Sequence, residues 1–302
     1  MKVEFIMQVS HLIRKLFYPV YFFKKLNFDK KAYNHRIKDI SSQVIFNKKI
    51  SVLDYKKSDK LFVLGSGSSI SHYSSIEWQT ISNHDSIGFN YWLIHRFVPT
   101  YYVFEVPYGG SDKFFEILSM RAKEYSNVPL IMKDAITMHK KISHLLIPKT
   151  LLNNFFILED YSIPGSNLFE FKKSLNYLKL FGFFKTKNVV HKIFKKRASL
   201  SYIIHFAIMF GYKDIILCGV DLNDTSYFWE INKDYYQSIG IPLPETNQYG
   251  NTHRTLNKEF GDLTIDEVLY AINDVILKPR GIKLSVAKKT SALFPELGAF
   301  FD

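Results

Sequence analysis

Directly after the apolar run Leu61–Leu64 the chain turns to Gly65-Ser66-Gly67-Ser68-Ser69. Glycines lack Cβ, so the backbone can turn tightly and bring its N–H groups up to an anion at the start of the next helix. Ser66, Ser68 and Ser69 add hydroxyl donors. The chemistry that fits is the holding of a phosphate, set against the plainer reading of a tight turn behind a strand. No Gly-Lys-Ser/Thr follows, so this is not a P-loop, and Ile70 stands where the dinucleotide fingerprint needs a third glycine. Asp85 lies at about the right distance for a ribose, which keeps a dinucleotide cofactor open.

Other candidates are scattered. His253, in "QYGNTHRTLN", lies in a polar stretch and is read either as a general base or as a solvated loop histidine. Tyr227, in "NDTSYFWE", is read as a phenol donating to a phosphate oxygen or as an aromatic wall. Arg197 and Ser199 open a helix, which suits an anion or simple capping. Asp221 ends a strand, where it could hold a metal or a ribose or cap a turn. No HExxH and no His/Asp cluster with metal spacing occurs.

The elements that must position these residues alternate. "KLFVL" (60–64), "DSIGF" ending at Asn90, "TYYVFEVP" (100–107) and "VPLIMK" (128–133) read as strands, with a helix around "YSSIEWQTI". A helix over about 199–210 should end on Gly211 as a left-handed cap, followed by the strand "DIILCGVDL". Thr264 and Glu267 form a capping box, Gly281 closes that helix, and "IKLSV" is the last strand. Strand–helix alternation predicts a doubly wound, mainly parallel α/β sheet, with ligands outside the carboxyl ends of its strands. The aromatic and basic block at about 145–196 is expected as an inserted helical lid. Residues 1–58 are expected as an N-terminal segment and 59–302 as the catalytic domain, with 27–58 a Lys-rich connector of short helices.

Composition bounds the partners. The 302 residues carry 47% hydrophobic residues, which excludes a disordered chain, and a formal charge of +12, which calls for an anionic partner. Lysine is spread evenly and no nucleic-acid motif occurs, so no nucleic acid is expected. The single Cys218 excludes an intrachain disulfide framework. No run reaches the ~18 apolar residues of a membrane span. "HLIRKLFYPVYFFKKL" (11–26) mixes aromatics with Arg14, Lys15, Lys24 and Lys25, which reads as an interfacial anchor or as a helix packed on the core.

Taken together, the loop at Gly65–Ser69, Asn90 ending its strand, the Arg197/Ser199 helix start, "GYKDIILCGVD", Tyr227 and His253 resemble the bacterial sialyltransferases of glycosyltransferase family 42, over about residues 60–300. The family places a Gly-Asn-Gly-Pro-Ser loop where this chain has Gly65-Ser66-Gly67-Ser68-Ser69, a tyrosine at Asn223, and an asparagine at Glu105. Lipopolysaccharide Kdo transferases are distantly similar through "GVDL". The resemblance implies a Rossmann-like fold of GT-A-variant type and transfer from a CMP-linked nonulosonic acid, with His253 as base and Tyr227 stabilising the leaving phosphate. Donor contacts fall to Gly65, Ser66, Gly67, Ser68, Asn90, Arg197, Ser199, Asp221 and Asn223. No metal or other cofactor is expected. The implied partners are a CMP-nonulosonate donor, a lipooligosaccharide, lipopolysaccharide or capsule glycan acceptor, and an anionic inner-membrane surface on the cytoplasmic side, with self-association left open. Alternatives kept open are a CMP-Kdo-dependent transferase, a retaining reaction with Glu105 or Asp221 as nucleophile, an NAD-type oxidoreductase and a non-enzymatic basic binding protein.

Overall fold

Short apolar runs punctuated by Gly, Asn and Pro become strands buried on both faces, because crossover helices cover a parallel sheet on each side. The computed structural model describes residues 18–41, 45–105, 111–133, 147–245 and 253–301. Its strands are β1 (Ile50–Ser51), β2 (Lys60–Leu64), β3 (Asp85–Phe89), β4 (Tyr101–Phe104), β5 (Leu130–Met132), β6 (Phe155–Ile157), β7 (Glu159–Ser162), β8 (Val189–Val190), β9 (Lys192–Lys195), β10 (Asp214–Cys218) and β11 (Lys283–Val286). Its α-helices are α1 (Tyr18–Ser41), α2 (Ser75–Ser82), α3 (Ser111–Met120), α4 (Leu168–Leu180), α5 (Ser199–Phe210), α6 (Phe228–Ile231), α7 (Lys233–Ser238) and α8 (Ile265–Ile272).

Seven strands pair in parallel in the order β11-β10-β2-β3-β4-β5-β6. The chain winds outward from β2 to β6 and then returns to add β10 and β11 on the other side. The direction of winding therefore reverses between β2 and β10, which is where doubly wound sheets open a ligand crevice. Alternate strand residues feed two apolar cores, one per face: Leu61 and Val63 point into one, Phe62 and Leu64 into the other. Helix α5 is buried along its whole length and ends on Gly211 at φ 74°, as its sequence predicts. Thr264 and Glu267 form the predicted capping box ahead of α8.

Two expectations are corrected. The described part of the 145–196 block is not a lid. It supplies edge strand β6, pairs β7 with β9 in a second small parallel sheet, and packs Phe171, Leu175 and Leu178 of α4 into the main core. Of the Lys-rich stretch read as a connector of short helices, residues 27–41 belong to one 24-residue helix, α1. This helix is tied to the body. Tyr18 donates to Glu170 O at 3.0 Å, Tyr33 donates to Ile157 O at 3.1 Å, and Asp29 accepts from Ser162 N at 3.0 Å. Residues 11–17 of the expected anchor, with Arg14 and Lys15, lie outside the described residues. No helix among the described residues is long and apolar enough to cross a membrane.

Candidate active site

Two loops meet at the reversal point. Gly65 N–H donates to Cys218 O at 2.7 Å and Gly67 N–H donates to Gly219 O at 2.9 Å. A Cβ on Gly65 would lie 2.6 Å from Gly219 O, and one on Gly67 would lie 2.3 Å from an Asp221 carboxylate oxygen. The glycines are thus needed for the approach of one loop to the other. Their two N–H groups are used in that seam and not offered to a phosphate, which corrects the sequence reading. Asp221 closes the seam: it accepts from Ser69 N at 3.0 Å and from Ser69 Oγ at 2.6 Å, almost wholly buried. Ser68 Oγ donates to Asp224 at 2.5 Å.

Above this seam lies a cavity of about 730 Å³ at the carboxyl ends of the strands. Of the residues predicted from sequence, Ser66, Gly67, Asn90, Arg197, Ser199, Asp221, Tyr227 and His253 line it. Gly65, Ser68 and Asn223 do not; Asn223 turns away and donates its amide to Thr290 O at 3.0 Å. Asp85 is at the opposite end of β3, buried, accepting from Lys57 N, Ser58 N and the Tyr212 hydroxyl. It cannot reach a ribose at the reversal point, so the dinucleotide reading loses its acidic residue.

Backbone strain gathers here. The described non-glycine residues with positive φ are Asn90 (53°), Arg197 (75°) and Leu222 (64°), and all three line the cavity. Left-handed backbone in non-glycine residues costs free energy and collects at functional sites. Helix α5 points its N-terminus at the cavity through Ala198, Ser199 and Leu200, and Ala198 at the N-cap offers no side-chain acceptor. Such an uncapped end attracts an anion.

His253 is held from several directions. Its N–H donates to Leu222 O at 2.9 Å. Its Nδ1 lies 2.8 Å from Thr255 Oγ1 and accepts from the Thr255 N–H at 3.3 Å. In the other tautomer Nδ1 gives up the Thr255 N–H bond, carries the proton and donates it to Thr255 Oγ1, and Nε2 then keeps a lone pair and can act as a base. Burial, with Arg254 and Arg197 adding to it, lowers the His253 pKa, so the ring is neutral at pH 7. Arg197 lines the cavity and also serves the turn beside it. Its guanidinium donates to the carbonyls of Arg254 at 3.2 Å, Thr255 at 3.4 Å and Asn257 at 2.8 Å, fixing the turn that carries His253. A Cβ on Gly261 would lie 2.2 Å from this guanidinium, so Gly261 leaves room for the clamp.

Tyr227 stacks on Trp229, with ring centroids 4.5 Å apart and planes 4° off parallel. Burial, then Glu230, raises its pKa, so it stays a protonated donor. Across the cavity, Lys133 pairs with Glu105 at 2.7 Å. Lys133 was missed from sequence, although a signal was present. Asn90, Glu105 and Lys133 each directly follow the carboxyl end of three neighbouring strands, β3, β4 and β5. Among the described residues no group of three or more His, Cys, Asp or Glu could hold a metal ion.

No family model matches this chain, and no curated protein matches it. Among solved structures it is similar to a monofunctional alpha-2,3-sialyltransferase, Cst-I, from Campylobacter jejuni. The two are 15% identical, with a TM-score of 0.39 over 79% of this chain and 80% of that one.

Proposed function

We propose that the protein is a glycosyltransferase that moves a nonulosonic acid from a CMP donor to a hydroxyl of a glycan acceptor. The observation that supports this is the convergence of Asn90, Ser199, Tyr227 and His253, from four distant stretches of chain, on one cavity at the winding reversal. The acceptor hydroxyl attacks the anomeric carbon and its proton passes to His253 Nε2. The bond from that carbon to the phosphate oxygen breaks, and CMP leaves with the electron pair. Tyr227 donates a hydrogen bond to the leaving phosphate, and the open N-terminus of α5 stabilises its charge. Ser66 and Asn90 hold the nucleotide. Arg197 is a positioning residue, acting through the His253 turn. The acceptor is a lipid-linked cell-surface glycan of lipooligosaccharide, lipopolysaccharide or capsule type, and the enzyme works peripherally at the cytoplasmic membrane face.

The test is a screen of transfer and hydrolysis with CMP-Neu5Ac, CMP-Kdo and CMP-pseudaminate. Turnover of one of them, lost in His253→Ala, is the expected result. Turnover of none, with stabilisation by NAD and not by CMP in a thermal shift, overturns the proposal.

A further inference from the structure

Beside the cavity just described lies a second one of about 420 Å³, which shares Lys133, Arg197 and Ala198 with it. Lys25, Lys195 and Lys196 complete its cationic lining, and Asp262 is the acidic residue on its wall. The carboxylates that neutralise these lysines are elsewhere: Asp29 pairs with Lys25 at 2.5 Å, and Asp160, 2% exposed, pairs with Lys195 at 3.0 Å. Neither of those two carboxylates lines the cavity. Burial and the neighbouring Lys133 lower the Lys195 pKa to about 7, against the opposing pull of Glu105 and Asp29.

What the cavity opens beside says what the anion is attached to. Tyr21 and Lys25 of α1 form one of its edges. At 100° per residue the neighbouring exposed positions on α1 are Lys24 and Phe28, and Lys25 Nζ lies 5.3 Å from the centre of the Phe28 ring. Interleaved aromatic and lysine side chains, here Tyr21, Lys24, Lys25 and Phe28, are the composition of a surface that lies in the headgroup layer of an anionic bilayer. The chain's charge of +12 complements such a surface.

We infer that this second cavity is a subsite for the phosphate of a membrane lipid, which the exposed face of α1 at Tyr21, Lys24 and Phe28 brings to Lys25, Lys195 and Lys196. Because it adjoins the first cavity through Lys133 and Arg197, a phosphate held here anchors a lipid-linked acceptor with its glycan directed at His253. The subsite itself stands on its own geometry; only the acceptor role rests on the glycosyltransferase reading.

The experiment is co-sedimentation of the full chain with vesicles of phosphatidylcholine alone, or mixed with phosphatidylglycerol or phosphatidic acid, with and without inorganic pyrophosphate. The expected result is binding to the phosphatidic acid vesicles, weaker binding to phosphatidylglycerol, and displacement by pyrophosphate. The double variant Lys25→Ala/Lys196→Ala should lose roughly 30-fold in vesicle affinity, at about a factor of five per lysine. Lys25→Arg/Lys196→Arg should retain binding, and the control Lys123→Ala/Lys187→Ala, which removes exposed lysines elsewhere, should change it little. Equal loss in the control, failure of pyrophosphate to displace the protein, or equal binding to phosphatidylcholine alone overturns the subsite. Vesicle binding as expected with no turnover of any CMP-sugar would leave the subsite standing and remove the transferase reading.

Discussion

The floor and the rim of the main cavity are held by different means. The floor is backbone against backbone: Gly65–Ser69 is seamed to Cys218–Asp221, with contacts only a glycine allows and a buried carboxylate across the join. The rim that carries His253 is two short 3₁₀ turns, Arg254–Leu256 and Lys258–Phe260, fixed from below by one guanidinium donating to three carbonyls. A floor of this kind gives a fixed shape that no single side chain controls. The rim gives the His253 ring an orientation that depends on one residue outside its own loop. Substitutions in the floor should therefore be felt as lost stability, and substitutions in the rim as lost rate in a folded protein.

The largest expected effect belongs to the rim. His253→Ala should lower transfer by ~10²–10⁴-fold while the melting temperature and CMP-induced stabilisation stay near wild type. A melting temperature that falls in step with the rate would break the distinction. Next is the floor: Gly67→Ala puts a Cβ against the Asp221 carboxylate, and a loss of about 3 kcal/mol in denaturant unfolding is expected. Arg197→Met should cost roughly 100-fold in kcat, the equivalent of one or two charge-assisted hydrogen bonds, with little change in donor KM. Lys at that position should not rescue it, because an ammonium cannot span three carbonyls. A rise in KM with kcat intact would instead place Arg197 on the donor.

Smaller effects sharpen the comparison within the rim. Thr255→Val removes the Nδ1 partner and should cost roughly three- to tenfold in kcat, with Thr255→Ser near wild type. The pH profile follows from sign. A protonated His253 cannot accept a proton, so the rate falls as pH drops through its pKa. Burial with Arg254 and Arg197 holds that pKa below its ordinary 6.5, so the acid limb of kcat/KM should lie below pH 6.5. Arg254→Gln should move the limb upward.

The central sheet was legible because a buried parallel strand is a short apolar run closed by Gly, Asn or Pro, as at Leu64–Gly65 and Phe89–Asn90. Helix α5 was legible through its cap, Gly211. The 145–196 block was not, because aromatic and basic composition is common to a lid and to edge strands such as β6 and β9. Helix α1 was obscured by its narrow buried stripe of Tyr18, Phe22, Tyr33 and Ile37 among many lysines. Within the site, residue types were legible but not the geometry that assigns their duties. Nothing local in the sequence says that Arg197 binds carbonyls nearly sixty residues away or that Asp221 serves the Ser69 turn. Lys133 ends a strand and reads as an ordinary solvated terminus until β3, β4 and β5 are laid side by side.

The strand order also has a consequence for synthesis. Sequence-adjacent strands β2 to β6 can pair as they emerge, but the other edge of β2 waits for β10. Leu64 and Asp214 are 150 residues apart, which at ~5–20 residues per second is roughly 8–30 s of elongation. Throughout that time the apolar run Leu61–Leu64 presents an unpaired edge, and one side of the sheet lacks the wholly buried helix α5. The half of the reversal point that later forms the cavity floor is thus the stretch of nascent chain most in need of a holdase, and slower, cooler expression should raise the soluble yield.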